Sequence, residues 1–319
     1  MKTVLLRDPI AQSGIDVLSR SCKVVQVPDS SPDTIRRLAR ESDGIIIRGK
    51  LPDDIFEVAP RVRAVCVHGT GTDLVPLESA TGRGVMVANL PGINAQSVAE
   101  YCVLGMLMLA RNIVAITAAM RARPWDEARQ GAMKAEELEG MTVGIIGVGE
   151  IGGRVARICR RGFGMRVLGT QRRPERMPAD AQPAAFDELM RQSDFVVVAC
   201  PLTKQTHHLI NPASLGLMKR TAWIVNVGRG AVIDEPALID ALKGRRIAGA
   251  MLDVYEHYQI EHGHPLFGLD NVILTPHLAG GTNASRSRAS VAAADEMLRM
   301  LAGQPPRNFV NPEALENAS

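Results

Sequence analysis

Short apolar runs separated by amphipathic stretches repeat along the whole chain. Val4–Leu6, Val24–Val27, Ile45–Ile47, Ala64–Val67 and Val85–Ala88 form a first series. Thr142–Ile146, Arg166–Gly169, Phe195–Ala199, Ala222–Val225, Ile247–Leu252 and Val272–Leu274 form a second. Each run is apolar almost without alternation, the mark of strands covered on both faces, as in parallel sheets. Between them, stretches such as Pro32–Arg40 and Asp54–Val58 space their apolar residues as helices do. This alternation predicts an α/β protein with two doubly wound parallel-sheet domains.

The boundary between the domains is not a single cut. A helix after Asn94 is long enough to lead from the first series to the second. A last helix, roughly Asn283 to Met300, follows the final strand and can return the tail. The first domain is therefore expected to be discontinuous, 1–95 plus 285–319, with a second domain over 96–284. The polar, proline-containing stretch after Gly303 reads as a surface extension. The longest apolar segment, Ser97 to Met120, holds ten uncharged residues between Glu100 and Arg111. A membrane span needs about twenty, so a buried or interface helix is expected and no membrane partner. The opening run MKTVLLRDPI reads as a first strand, not a signal peptide.

Composition narrows the function. The 319 residues make room for two domains of roughly 150 each. A net charge of +3 and an aromatic content of 3% argue against a nucleic-acid partner. The cysteines Cys22, Cys66, Cys102, Cys159 and Cys200 are dispersed with no CxxC pair. Neither a disulfide framework nor a metal site is indicated, and a reducing cytoplasm is the expected location.

The chemistry gathers in the second series. The strand Thr142–Ile146 runs into Gly147-Val148-Gly149-Glu150-Ile151-Gly152, followed by a helical stretch. This is GxGxxG in the strand–turn–helix setting that binds a dinucleotide pyrophosphate. An NAD-binding chain usually ends the next strand in an acid that holds the ribose hydroxyls. Here that position reads Thr170-Gln171-Arg172-Arg173. A guanidinium suits a 2′-phosphate, so NADP(H) is the preferred cofactor and NAD(H) the alternative. Three later loops, Asn226–Gly230, Asp253–Tyr255 and Thr275–Gly280, follow strands and carry polar residues suited to one crevice.

Together, the Asn89–Glu100 stretch, GxGxxG, CPLTxxT (Cys200 to Thr206), NVGRGxxID (Asn226 to Asp234), LDV and TPHxxG resemble the D-isomer-specific 2-hydroxyacid dehydrogenase family. TQRRP and the ACPLT run with Cys200 resemble its glyoxylate/hydroxypyruvate reductase branch. The resemblance implies a Rossmann NAD(P)-binding domain, a discontinuous flavodoxin-like substrate domain, a small 2-oxo or 2-hydroxy acid substrate and a homodimer. It implies His277 as acid/base, a role that imidazole suits near neutral pH. Arg229 would bind the substrate carboxylate, and Asp253 the nicotinamide carboxamide. Cys200, Pro201, Thr206, Val227 and Gly280 would line the cofactor. Thr70 and Gly71 would offer backbone amides to the substrate carboxylate, and Arg48, Gly49 and Lys50 would meet the far end of the substrate.

One position departs from that family. It keeps a glutamate five residues after the LDV aspartate to orient the histidine, and here that residue is Tyr258. Three readings stand: Glu256 reaches His277, Tyr258 or Gln259 orients the ring through a neutral hydrogen bond, or catalysis is weak or absent. A working enzyme with an altered dyad is favoured. The rivals are an NAD-linked 3-phosphoglycerate dehydrogenase and a dinucleotide-sensing binding protein.

Overall fold

The computed structural model describes residues 1–130, 135–257 and 259–316. The chain divides into two compact units, Met1–Asn94 with Gly281–Ser319, and Ala95–Gly280. The first holds strands β1 (Lys2–Leu6), β2 (Cys22–Gln26), β3 (Gly44–Ile47), β4 (Ala64–Val67) and β5 (Met86–Ala88). They form a parallel sheet in the order β2-β1-β3-β4-β5, the flavodoxin-like arrangement. In β1, Val4 and Leu6 enter one core while Leu5 enters the other. Both faces are covered, which is why the run carries no polar alternation.

The second unit holds β6 (Thr142–Ile146), β7 (Arg166–Thr170), β8 (Gln182–Pro183), β9 (Phe195–Val198), β10 (Trp223–Asn226), β11 (Gly249–Leu252) and β12 (Val272–Leu274). Its order is β12-β11-β10-β9-β6-β7-β8, again all parallel. Read from the other edge this is the Rossmann order with one added strand. In β9, Val196 and Val198 face one core and Phe195 and Val197 the other. Among the described strands, the two-residue β8 alone has no counterpart among the predicted runs, because Gln182–Pro183 carries no apolar signal.

Two expectations need correction. The Ser97–Met120 segment is two helices, Ala95–Ala110 and Ile113–Ala122, bent by 54° at a break where Asn112 adopts φ +49°. The first is buried through Cys102, Val103, Met106 and Ala110. The second buries no residue. Among the described residues, no single helix is long and apolar enough to cross a membrane. The stretch after Gly303 is not a surface extension. Val310 N–H donates to the Val87 carbonyl at 2.9 Å. The buried Asn311 accepts from Val87 N–H at 2.8 Å and donates to the Val85 carbonyl at 2.9 Å. Its amide satisfies the backbone at an open sheet edge, which polar composition alone does not reveal.

Candidate active site

In the second unit the chemical residues stand just past the carboxyl ends of parallel strands, where ligands of open α/β sheets bind. After β6, Gly147 adopts φ +94°, and a Cβ there would lie 2.6 Å from the Cys200 backbone nitrogen. Gly152 faces the Gly147 carbonyl, so any side chain would push the helix off the loop. The helix Glu150–Phe163 starts at once, with Gly149 at its N-cap and open space beyond it. Free N–H groups at that end, with no Cβ in the approach, fit a pyrophosphate. Glu150 is exposed and lies 3.8 Å from Arg154, and Ile151 packs against the core.

Gln171, just past β7, donates from its amide to the Arg173 carbonyl at 2.9 Å. Arg172 and Arg173 are exposed, and neither forms an ion pair among the described residues. Cys200 is buried against the glycine loop, and burial pushes its thiol up to about 11. Thr206 closes the following turn, its hydroxyl donating to the Pro201 carbonyl at 2.7 Å. After β10, the Asn226 side chain accepts from Gly228 N–H at 3.1 Å and donates to the Arg229 carbonyl at 3.2 Å. These bonds shape the loop that presents Arg229, while Val227 is buried beneath it.

His277 sits on a turn held from below. Asp253 is 1% exposed. One of its oxygens accepts from Thr275 Oγ1 at 2.7 Å and Leu278 N–H at 2.9 Å, and the other from Ala279 N–H at 2.8 Å. His277 N–H donates to the Asp253 carbonyl at 2.9 Å, and the residue adopts φ +54°. The turn leads into Gly280, and the imidazole is exposed. Tyr255 adds a hydroxyl bond to the Thr275 carbonyl at 2.9 Å, and burial pushes its phenol up to about 12. Tyr101 is half-buried, and burial raises its phenol above the ordinary value. Tyr255 was not singled out from the sequence as a support for the histidine. Its only signal was scarcity, since the chain has three tyrosines.

The altered dyad is resolved in part. Glu256 does not turn to His277. Its Oε1 lies 2.8 Å from His208 Nε2, and its N–H donates to Glu235 Oε2 at 3.2 Å. A carboxylate so engaged is committed to a different histidine, so the reading that it partners His277 is corrected. Tyr258 lies outside the described residues.

In the first unit, Asp8 accepts from Arg48 N–H at 2.7 Å and Gly49 N–H at 2.8 Å, fixing the loop after β3. The Arg48 side chain is exposed, and the Lys50 ammonium reaches Asp53 at 3.1 Å. The Gly69–Gly71 loop is braced by Leu90 N–H to the Gly69 carbonyl at 2.7 Å and by Thr70 Oγ1 to the Leu90 carbonyl at 3.3 Å. Beside it, His68 is buried with Nε2 at 2.8 Å from Ser290 Oγ. Desolvation first, and then the nearby Arg48 charge, lower its pKa to about 4. No pattern around His68 in the sequence marks it as a histidine with a lowered pKa.

The family profile described as "D-isomer specific 2-hydroxyacid dehydrogenase, NAD binding domain" matches residues 103–279. A glyoxylate reductase of Aeropyrum pernix is 37% identical over 293 residues, covering 89% of this chain and 87% of its own. A D-3-phosphoglycerate dehydrogenase of Methanocaldococcus jannaschii is 33% identical, covering 98% of this chain and 60% of its own. Among solved structures, an NADPH-dependent glyoxylate/hydroxypyruvate reductase of Sinorhizobium meliloti, in complex with NADP and malonate, superposes with a TM-score of 0.85. It is 27% identical and covers 98% of this chain and 97% of its own.

Proposed function

The chain belongs to the D-isomer-specific 2-hydroxyacid dehydrogenase family of NAD(P)-dependent oxidoreductases, and we propose that it acts mainly as an NADPH-dependent reductase of glyoxylate or hydroxypyruvate. One observation carries the cofactor choice. Past β7 a neutral Gln171 precedes two exposed arginines, with no carboxylate among Thr170–Arg173. Arg172 and Arg173 offer a 2′-phosphate charge-assisted, bidentate hydrogen bonds.

A reduced nicotinamide cofactor, held by the Gly147–Gly152 loop and Asp253, would supply hydride to the carbonyl carbon of the 2-oxo acid. His277 donates the proton that the carbonyl oxygen takes up. Arg229 grips the substrate carboxylate with its planar fork and polarises the adjacent carbonyl. Asp253 holds the histidine's turn and keeps acceptor capacity on the oxygen that carries a single bond, enough for a carboxamide N–H. In the first unit, the family resemblance assigns the Thr70 and Gly71 amides to carboxylate binding, and Arg48, Gly49 and Lys50 to the distal end of the substrate.

A second reading rests on those two exposed cations, which also suit a phosphorylated substrate, as in a 3-phosphoglycerate dehydrogenase using NAD. The homodimer is part of the proposal. It is supported by the exposed apolar residues Ile113, Val114 and Met120, which are 43%, 49% and 43% accessible.

Comparing kcat/KM for NADPH and NADH in the wild type and in the Arg172→Ala/Arg173→Ala double variant tests the cofactor assignment. The expected wild-type preference is for NADPH, and the double variant loses it by about 1.5–3 kcal/mol, or roughly tenfold to a hundredfold, as for hydrogen bonds to charged groups. Equal efficiencies in the wild type would overturn the assignment.

A further inference from the structure

The second unit contains a set of metal-ligating side chains that the proposed reaction does not use. One imidazole nitrogen each of His207 and His208 and a carboxylate oxygen of Glu256 lie within 4.8 Å of one another. The two imidazoles stack with centroids 4.0 Å apart and planes 25° from parallel. His207 is exposed, while His208 and Glu256 are half-buried, so the cluster opens to solvent on one side.

The backbone holds these groups in place. His208 adopts φ +49°, an uncommon conformation for a residue other than glycine. Its N–H donates to the Ala231 carbonyl at 2.9 Å, and its carbonyl accepts from the Asn211 side chain at 3.2 Å. From the other side, the Tyr255–Glu256 backbone presses against Gly230, where any Cβ would collide with it. Glu235 fixes the Glu256 N–H. The three ligands therefore come from two segments, each bonded to the Arg229–Val232 stretch or to the helix Glu235–Lys243 that follows it.

We propose that His207, His208 and Glu256 bind a divalent first-row transition ion of the zinc class. Nitrogen and oxygen donors bind such ions at about 2.0–2.2 Å, which puts ligand pairs roughly 3–4.4 Å apart. Binding requires the two stacked imidazoles to rotate until one nitrogen of each faces the ion, with the His208–Glu256 hydrogen bond exchanged for two bonds to the ion. Two imidazoles favour Zn²⁺, Ni²⁺ or Cu²⁺ over Mg²⁺ or Ca²⁺, which take oxygen ligands. Three protein ligands leave at least one position for water. A bound ion would clamp the Glu256 loop to the His207–His208 turn, next to the stretch that presents Arg229. No spacing rule read from the sequence brings residues 207, 208 and 256 together, because the parallel sheet does so.

The test is calorimetric titration of the full-length, chelator-treated protein with ZnCl₂, for the wild type and for His207→Ala and Glu256→Gln. One ion per chain with micromolar affinity is expected, weakened at least about tenfold in each variant, with MgCl₂ giving no heat. His257→Ala and His262→Ala should bind as the wild type does, which separates this cluster from the other loop histidines. Titration of the wild type with Co²⁺ keeps the question open to test if a variant fails to fold. Visible d–d bands without thiolate charge transfer are expected. Absence of stoichiometric binding, retention of full affinity in both ligand variants, or a thiolate band would overturn the proposal.

Discussion

Three hydrogen bonds join the carboxylate of Asp253 to the turn that carries His277, and the Asp253 carbonyl takes a fourth from the His277 N–H. Asp253→Asn would set an amide N–H against at least one of those donors. The expected result is a loss of about 1–3 kcal/mol of stability and a fall in kcat larger than any rise in KM for the cofactor. A change confined to the cofactor KM would instead assign the residue to the carboxamide alone. The LDV and TPH motifs made both residues legible in the sequence, but the bonds between them depend on β11 and β12 being neighbours. His68 was not legible at all. Its folded pKa, lowered to about 4, lies below the unfolded value near 6.5. The unfolded chain therefore binds the extra proton first. The stability from keeping this ring neutral is complete above about pH 6.5 and is lost as pH falls toward 4, by up to about 3 kcal/mol. Thermal unfolding followed across that window should drop more steeply for the wild type than for His68→Gln. Parallel curves would contradict this.

Strands were the most readable elements. Thr142–Ile146 and Ala64–Val67 form where their apolar runs stand, because a strand buried on both faces leaves an unbroken hydrophobic signature. The helix Ile113–Ala122 shows the converse. Its apolar residues looked like a continuation of a buried helix, yet the break at Asn112 turns them to the surface. Such a face needs a cover, and a second copy of the chain supplies one in the proposed dimer. Val114→Lys with Met120→Lys should shift the sedimentation of the protein from dimer to monomer without loss of helical content. A wild type that sediments as a monomer would refute the dimer. The tail around Asn311 hides its role for a related reason, since a polar residue that closes a sheet edge has the composition of a surface loop.

Each unit of the molecule is a parallel sheet whose candidate site residues follow strand ends, a placement that the alternation of apolar runs and polar loops announces in the sequence. The order of motifs gave the chemistry, while the partners of each functional group came only from the fold. Glu256 illustrates the difference. Its spacing made it a candidate for His277, and the structure gives it to His208. The central claim is that His277 protonates a small 2-oxo acid while NADPH supplies the hydride. Its most direct test is the initial rate of NADPH and NADH oxidation with glyoxylate, hydroxypyruvate, pyruvate and 3-phosphohydroxypyruvate, for the wild type and His277→Asn. Asparagine tolerates the left-handed backbone at this position, so the variant removes the imidazole and spares the turn. The expected result is fastest turnover of glyoxylate or hydroxypyruvate with NADPH, reduced about 10²–10⁴-fold in the variant. No turnover of any of the four acids with either cofactor, or an unimpaired His277→Asn enzyme, would contradict it.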